Sequence, residues 1–197
     1  MWLRPDMQAL TAVRPFTHFG GLQVECPALI AKGGPLSYAS EADYRENLDL
    51  LHAFPQVLDN ATRQFRMGMD SGVVETKLTT RNMIAQIDAL LAQPIEESPF
   101  LSPLAELPEG VPEDRRAALR TEWRAAVTGE VLPAYRRFRE FLSAEYLPAA
   151  REAAGISAMK GGPAVYRRLI EEHTTLPLGA EEVHRLGLSE VARIQRE

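Results

Sequence analysis

The residues best suited to chemistry in this chain are its four histidines, His18, His52, His173 and His184, and the polar group around one of them: Tyr166, His173, Thr174 and Thr175. Two histidines one helical turn apart can bind zinc, with an adjoining glutamate activating a metal-bound water. No two histidines here lie four residues apart, and none is followed by Glu. The sequence therefore offers no such zinc site, and no metal ligand or catalytic residue is named from it. Tyr166, His173, Thr174 and Thr175 are the candidates for lining a substrate cleft. The plainer reading of His173 is a histidine at a helix end, interacting with the dipole and the last carbonyls. His184, beside Val183, reads as a surface or interhelical hydrogen-bonding group, and Glu181 and Glu182 as first-turn acids. Tyr166 and Tyr135 read as core tyrosines with a wet hydroxyl.

Other chemistries find little support. Cys26 stands alone, which excludes an internal disulfide or a multi-cysteine metal knuckle, and it reads as a small loop hydrophobe. The glycine pairs at 20–21, 33–34 and 161–162 lack the Lys-Ser/Thr of a phosphate loop and follow no predicted strand, so they mark turns. No serine has a nucleophile-elbow context. Arg136, Arg137 and Arg139 read as a solvated helix face. Asn60-Ala61-Thr62 matches a glycosylation acceptor but falls within a predicted helix.

The elements that must position these residues read as helical after residue 40 and as loop before it. Residues 1–39 are punctuated by Pro5, Pro15, Pro27 and Pro35 and form an irregular segment expected to cover another surface. Ser40 and Asp43 resemble a capping box opening a helix. Pro55 marks a break and a fresh start, and Gly72 a stop. A third helix is predicted from Thr79 or Thr80. A proline-rich connector covers 93–111. From Glu113 the apolar positions keep one phase past Gly129 and Pro133, which predicts one long helix, bent at Pro133 and Pro148, reaching about Ala154 with Gly155 as its stop. A helix from Gly162 turns Val165, Tyr166, Leu169, Ile170 and His173 inward, and another from Ala180 carries Val183, Leu186, Val191 and Ile194. The expectation is an all-α, elongated multi-helix array with a long, proline-bent central helix. Residues 40–197 would form a helical region, part of a larger domain completed by C-terminal sequence, because the last helix stops within its periodic pattern.

Composition sets limits on partners. The 197 residues are 45% hydrophobic and 25% charged with a net charge of −5, ordinary for a soluble protein and without a general attraction to nucleic acid or anionic lipid. No apolar run approaches the roughly 20 residues that span a bilayer. The first residues show no signal peptide, which makes the cytoplasm the default location.

Three stretches together resemble a known family: RNMIAQIDALLAQPIEESPF, the run EVLPAYRRFREFLSAEYLPAAREAAGISAMKGGPAVYRRLI, and HTTLPLGAEEVHRLGLSEVARI. They are similar to the bacterial domain-of-unknown-function family 885, with Gly179 standing where that family more often has a capping Thr. The resemblance implies a zinc-metallopeptidase-like parent with an HExxH motif in its C-terminal half, relatives that are often exported, and zinc as a cofactor of that half alone. Three readings follow. The chain is the non-catalytic N-terminal part of such a protein, inactive alone, forming scaffold and one wall of a peptide cleft against the catalytic half. Alternatively it is a stand-alone helical interaction module that binds a protein partner through the same face. The third is a different enzyme using Tyr166, His173 and the threonines, which requires one pocket that contains them all.

Overall fold

The computed structural model describes residues 10–197. Among them the chain is all-α, and the one β pairing is an isolated parallel bridge between Thr76 and Arg151. Two compact units are present. One is Ala12–Glu152, and the other holds Ala153–Glu197.

In the first unit the stretch before Ser40 is mostly turns and bends, with one helix, α1 (Leu22–Ile30). Cys26, expected in a loop, lies inside this helix, buried, and burial pushes its thiol up to about 12. Pro27 removes the N–H that would have bonded the Gln23 carbonyl. That carbonyl instead accepts from the Tyr135 hydroxyl at 3.2 Å, so a tertiary contact fills the gap the proline leaves.

α2 (Glu41–Ser71) begins as the sequence indicates. Ser40 Oγ accepts from the Asp43 amide at 3.2 Å, and the helix ends on Gly72 in the left-handed conformation, φ 78°. It does not break at Pro55. Tyr44, Leu51, Leu58 and Phe65 keep one seven-residue phase across the proline and are all fully buried. Each large apolar side chain is worth about 1.5–3 kcal/mol when buried, so the continuous face outweighs the roughly 3 kcal/mol that an interior proline costs. α3 (Lys77–Leu91) follows, capped by Thr76, whose Oγ1 accepts from the Thr79 amide at 3.0 Å. The connector is folded rather than loose. Two tight turns, Ile95–Glu97 and Pro99–Ala105, insert Phe100 and Leu101 into the core. The Phe100 carbonyl accepts from the Trp123 indole at 2.8 Å.

The long helix is present, in segments without interruption: α4 (Glu113–Ala126), a wide π turn (Val127–Val131), α5 (Leu132–Phe141), a second π turn (Leu142–Tyr146) and α6 (Leu147–Ala149). Each π turn precedes a Leu-Pro pair, Leu132-Pro133 and Leu147-Pro148, within the repeated pattern Glu-x-Leu-Pro-Ala. The Leu132 amide bonds back to Val127 and the Leu147 amide to Leu142, five residues each. The wide turn gives the proline ring room where a plain α turn would clash.

These turns also set the register against α2. The two helices run in the same direction, and their fully buried faces are Tyr44, Leu51, Leu58, Phe65 on α2 and Trp123, Val131, Phe138, Tyr146 on the long helix. The first set is spaced seven, seven, seven and the second eight, seven, eight. Each interval of eight contains one π turn, which absorbs one extra residue. One residue to the side, the same spacing recurs in polar pairs: Arg45 with Glu122, His52 with Glu130 (2.9 Å), Asp59 with Arg137 (3.8 Å) and Arg66 with Glu145 (2.7 Å). The core between the helices is rich in aromatic edge contacts, with Phe65 4.7 Å from Tyr146 and Tyr44 5.8 Å from Trp123 between ring centroids.

The helix stops at Ala149, earlier than Gly155, because the next residues pair elsewhere. Arg151 N–H donates to the Glu75 carbonyl at 3.0 Å, and the Arg151 carbonyl accepts from Lys77 N–H at 2.9 Å. Beside this bridge the buried Glu75 carboxylate meets Arg14 at 2.8 Å, and the Glu75 amide donates to the Tyr146 hydroxyl at 2.8 Å.

In the second unit a short turn, Ile156–Ala158, leads to α7 (Gly162–Thr174) and α8 (Ala180–Ile194). Gly161 takes φ 77°, and a Cβ on Gly162 would lie 1.8 Å from the Ile156 carbonyl oxygen, so the entry to α7 requires glycine. Val165 and Ile170 are buried as the periodicity predicts. Tyr166 and His173, expected to turn inward, are exposed. α8 starts on Gly179 without a side-chain cap and buries none of its residues.

Candidate functional site

The four residues singled out in the sequence all lie on α7 and its C-terminal turn. Tyr166 and His173 are seven residues apart, which puts them on one face about 10 Å apart along the axis. Tyr166 is 40% exposed, and His173 is exposed at the last turn. The threonine hydroxyls serve the helix end. Thr174 Oγ1 lies 2.7 Å from the Ile170 carbonyl and accepts from Leu176 N–H at 3.2 Å, and Thr175 Oγ1 donates to the Thr174 carbonyl at 2.6 Å. Thr175 closes the helix with φ 60°, its N–H bonded to the Glu171 carbonyl at 2.8 Å. Among the described residues it is the one non-glycine residue with positive φ. A β-branched residue there is strained by about 1 kcal/mol or more. The group is thus a strained, exposed helix end with an imidazole and a phenol on one face. It contains no nucleophile–base pair.

Two open clefts lie in the first unit. One cleft of about 610 Å³ is bordered by Asp59, Arg66, Arg136, Arg137, Glu140, Phe141 and Glu145. Its charges are mostly paired with one another. Arg66 forks onto Glu145 at 2.7 and 3.0 Å, holding that carboxyl below the usual range, and lies 5.0 Å over the Phe141 ring. A second cleft, about 290 Å³, lies between the end of α3, the first tight turn and the first π turn, with walls from Leu90, Leu91, Ile95 and Leu132. Ser98 and Arg136 also border it. Neither residue stands out as a site in the sequence, because an isolated serine and one arginine in a basic run carry no spacing signal.

Among the described residues no three His, Cys, Asp or Glu side chains gather to hold a metal ion. No helix among them is long and apolar enough to cross a membrane.

The sequence matches a family model over residues 6–197, nearly its full length. The chain belongs to DUF885, a family of bacterial proteins of unknown function. No curated protein is matched. Among solved structures, the chain is similar to one described as the putative lipoprotein from Colwellia psychrerythraea, with a TM-score of 0.78 at 21% sequence identity. The match covers 89% of this chain and 30% of that one. At that identity the likeness establishes the fold, and this DUF885 chain spans under a third of the longer protein's length.

Proposed function

We propose that this DUF885 chain is the non-catalytic scaffold part of a larger zinc-metallopeptidase-like protein, forming one wall of a peptide cleft, with zinc held by the C-terminal half. The observation that carries the reading is the face of α8. Val183 is half-buried, and Leu186 (54%), Val191 (52%) and Ile194 (60%) are exposed along one side of a helix that buries nothing. Exposed apolar residues in a continuous stripe mark a surface that another body covers. The match to 30% of a longer chain supports a body of that size. Tyr166 and His173, on the exposed face of α7, are the groups of this unit suited to contact peptide, and the strain at Thr175 fits a helix end kept for function rather than stability.

Two assays of the purified chain test this reading: metal content by mass spectrometry, and hydrolysis of a mixed peptide library. The expected result is far less than one zinc per chain and no cleavage above buffer. Stoichiometric, tightly held zinc would overturn the assignment of the metal to another half. The stand-alone interaction module remains the second reading, favoured by the closed aromatic core of Ala12–Glu152. It predicts a partner in trans on the α8 face.

A further inference from the structure

We propose that the cleft between α3, the connector and the first π turn is a binding site for a small carboxylate with a branched aliphatic tail. The proposal does not depend on the peptidase-like reading. Three independent features meet in this cleft.

The first is an unpaired cation. The helix from Glu113 to Ala149 carries seven arginines, and six have carboxylate partners: Arg115 with Glu41, Arg116 and Arg120 with Glu113, Arg124 with Glu96, Arg137 with Asp59 and Arg139 with Asp88. Arg136 alone has none within 4.0 Å among the described residues, and it stands on the border of this cleft, on the ridge shared with the cleft of about 610 Å³. A guanidinium free of a protein carboxylate is the group best shaped to take one from a ligand.

The second is a buried hydroxyl. Ser98 is 6% exposed and forms part of the cleft wall, and its Oγ is buried without a hydrogen-bond partner. An unsatisfied buried hydroxyl costs about 1–3 kcal/mol, a penalty that turning the side chain towards a ligand's polar atom in the cleft removes.

The third is the wall itself. Leu90, Leu91, Ile95 and Leu132 make it apolar, and the volume of about 290 Å³ suits a ligand of few heavy atoms. Thr128 and Leu132 come from the π turn and its edge, a distortion that recurs at functional sites. Thr128, Leu132 and Arg136, each four residues on, align along one side of the helix. The cation is thereby set at one end of an apolar strip.

The shared chemistry is a carboxylate joined to a short branched chain, which a free aliphatic acid or the C-terminal residue of a peptide both supply. Calorimetric titration with 4-methylpentanoate, with N-acetyl-leucine and with uncharged 4-methylpentanamide tests the site and separates the two sources. At least one carboxylate is expected to bind saturably with Kd on the order of 1 mM, and the amide about ten-fold more weakly. Preference for N-acetyl-leucine assigns a peptide C-terminus, and preference for 4-methylpentanoate a free acid. Arg136→Gln, at an exposed position, is expected to abolish the difference between acid and amide. Ser98→Ala is expected to weaken both while leaving the melting temperature unchanged or higher. No saturable binding up to about 20 mM, equal binding of acid and amide, or an Arg136→Gln variant that binds like the parent would each overturn the proposal.

Discussion

At the scale of single residues, the most exacting contact is Tyr146. Its hydroxyl accepts the buried Glu75 amide while its ring packs edge-on to Phe65. Tyr146→Phe strands that amide and is expected to cost about 1–3 kcal/mol in urea unfolding. The same residue sets an alkaline limit. Burial pushes the Tyr146 phenol up to about 12 and raises those of Tyr38, Tyr44 and Tyr135. The unfolded chain's tyrosines ionise near pH 10, whereas these stay protonated in the fold. The stability they lend is complete below pH 10 and drains away as pH climbs through about 12. Melting temperatures followed by circular dichroism should fall over that interval, and less steeply in Tyr146→Phe. A flat profile to pH 12 contradicts this account of the core. At the other unit, Thr175→Gly relieves the left-handed strain at the end of α7. A gain of up to about 1 kcal/mol in urea unfolding is expected, and Thr175→Ala should give no gain.

At the scale of elements, the pairing of α2 with the long helix depends on two π turns, each adding one residue to a seven-residue interval. Deleting Gly129, which faces open space within the first π turn, returns that turn to a plain helix and leaves the downstream core in phase. The remaining obstacle is the Pro133 ring, so Gly129 deletion combined with Pro133→Ala should retain the fold with a loss under about 3 kcal/mol. Deleting the exposed Thr121 from α4 instead rotates the helix on one side of the deletion by about 100° against the other and should abolish cooperative unfolding. Equal losses from the two deletions, measured by urea titration, contradict the register argument. The amphipathic phase of this helix was legible in the sequence because its apolar residues survive Gly129 and Pro133 in step. The π turns were not, since Leu-Pro in a helix reads equally as a kink. Pro55 misled for a related reason: a proline is a local signal, and the seven-residue face that overrides it runs along a helix of 31 residues. α1 was hidden because its proline is compensated by Tyr135, more than a hundred residues away.

At the scale of the whole molecule, the all-α class and the family were readable from period and from long stretches of sequence. The cleft between α3 and the π turn was not. Ser98 and Arg136 lie 38 positions apart, and what distinguishes Arg136 is the absence of a partner that its neighbours have, which only three-dimensional placement shows. Tyr166, His173, Thr174 and Thr175 stand out in the sequence because they cluster in the chain. The exposure of Tyr166 and His173 was missed because the end of α7 follows the helical period without being covered. Since α8 buries no residue, its sequence amphipathicity predicts a buried face that the described residues do not supply.

That uncovered stripe is therefore the point on which the account rests. The direct measurement is binding of an environment-sensitive apolar dye, compared between the parent chain and the double variant Leu186→Glu, Val191→Glu at matched helicity. Strong dye fluorescence or self-association is expected of the parent, and loss of both in the variant with the melting of the aromatic core unchanged. A parent chain that stays monomeric and binds no dye would contradict the account.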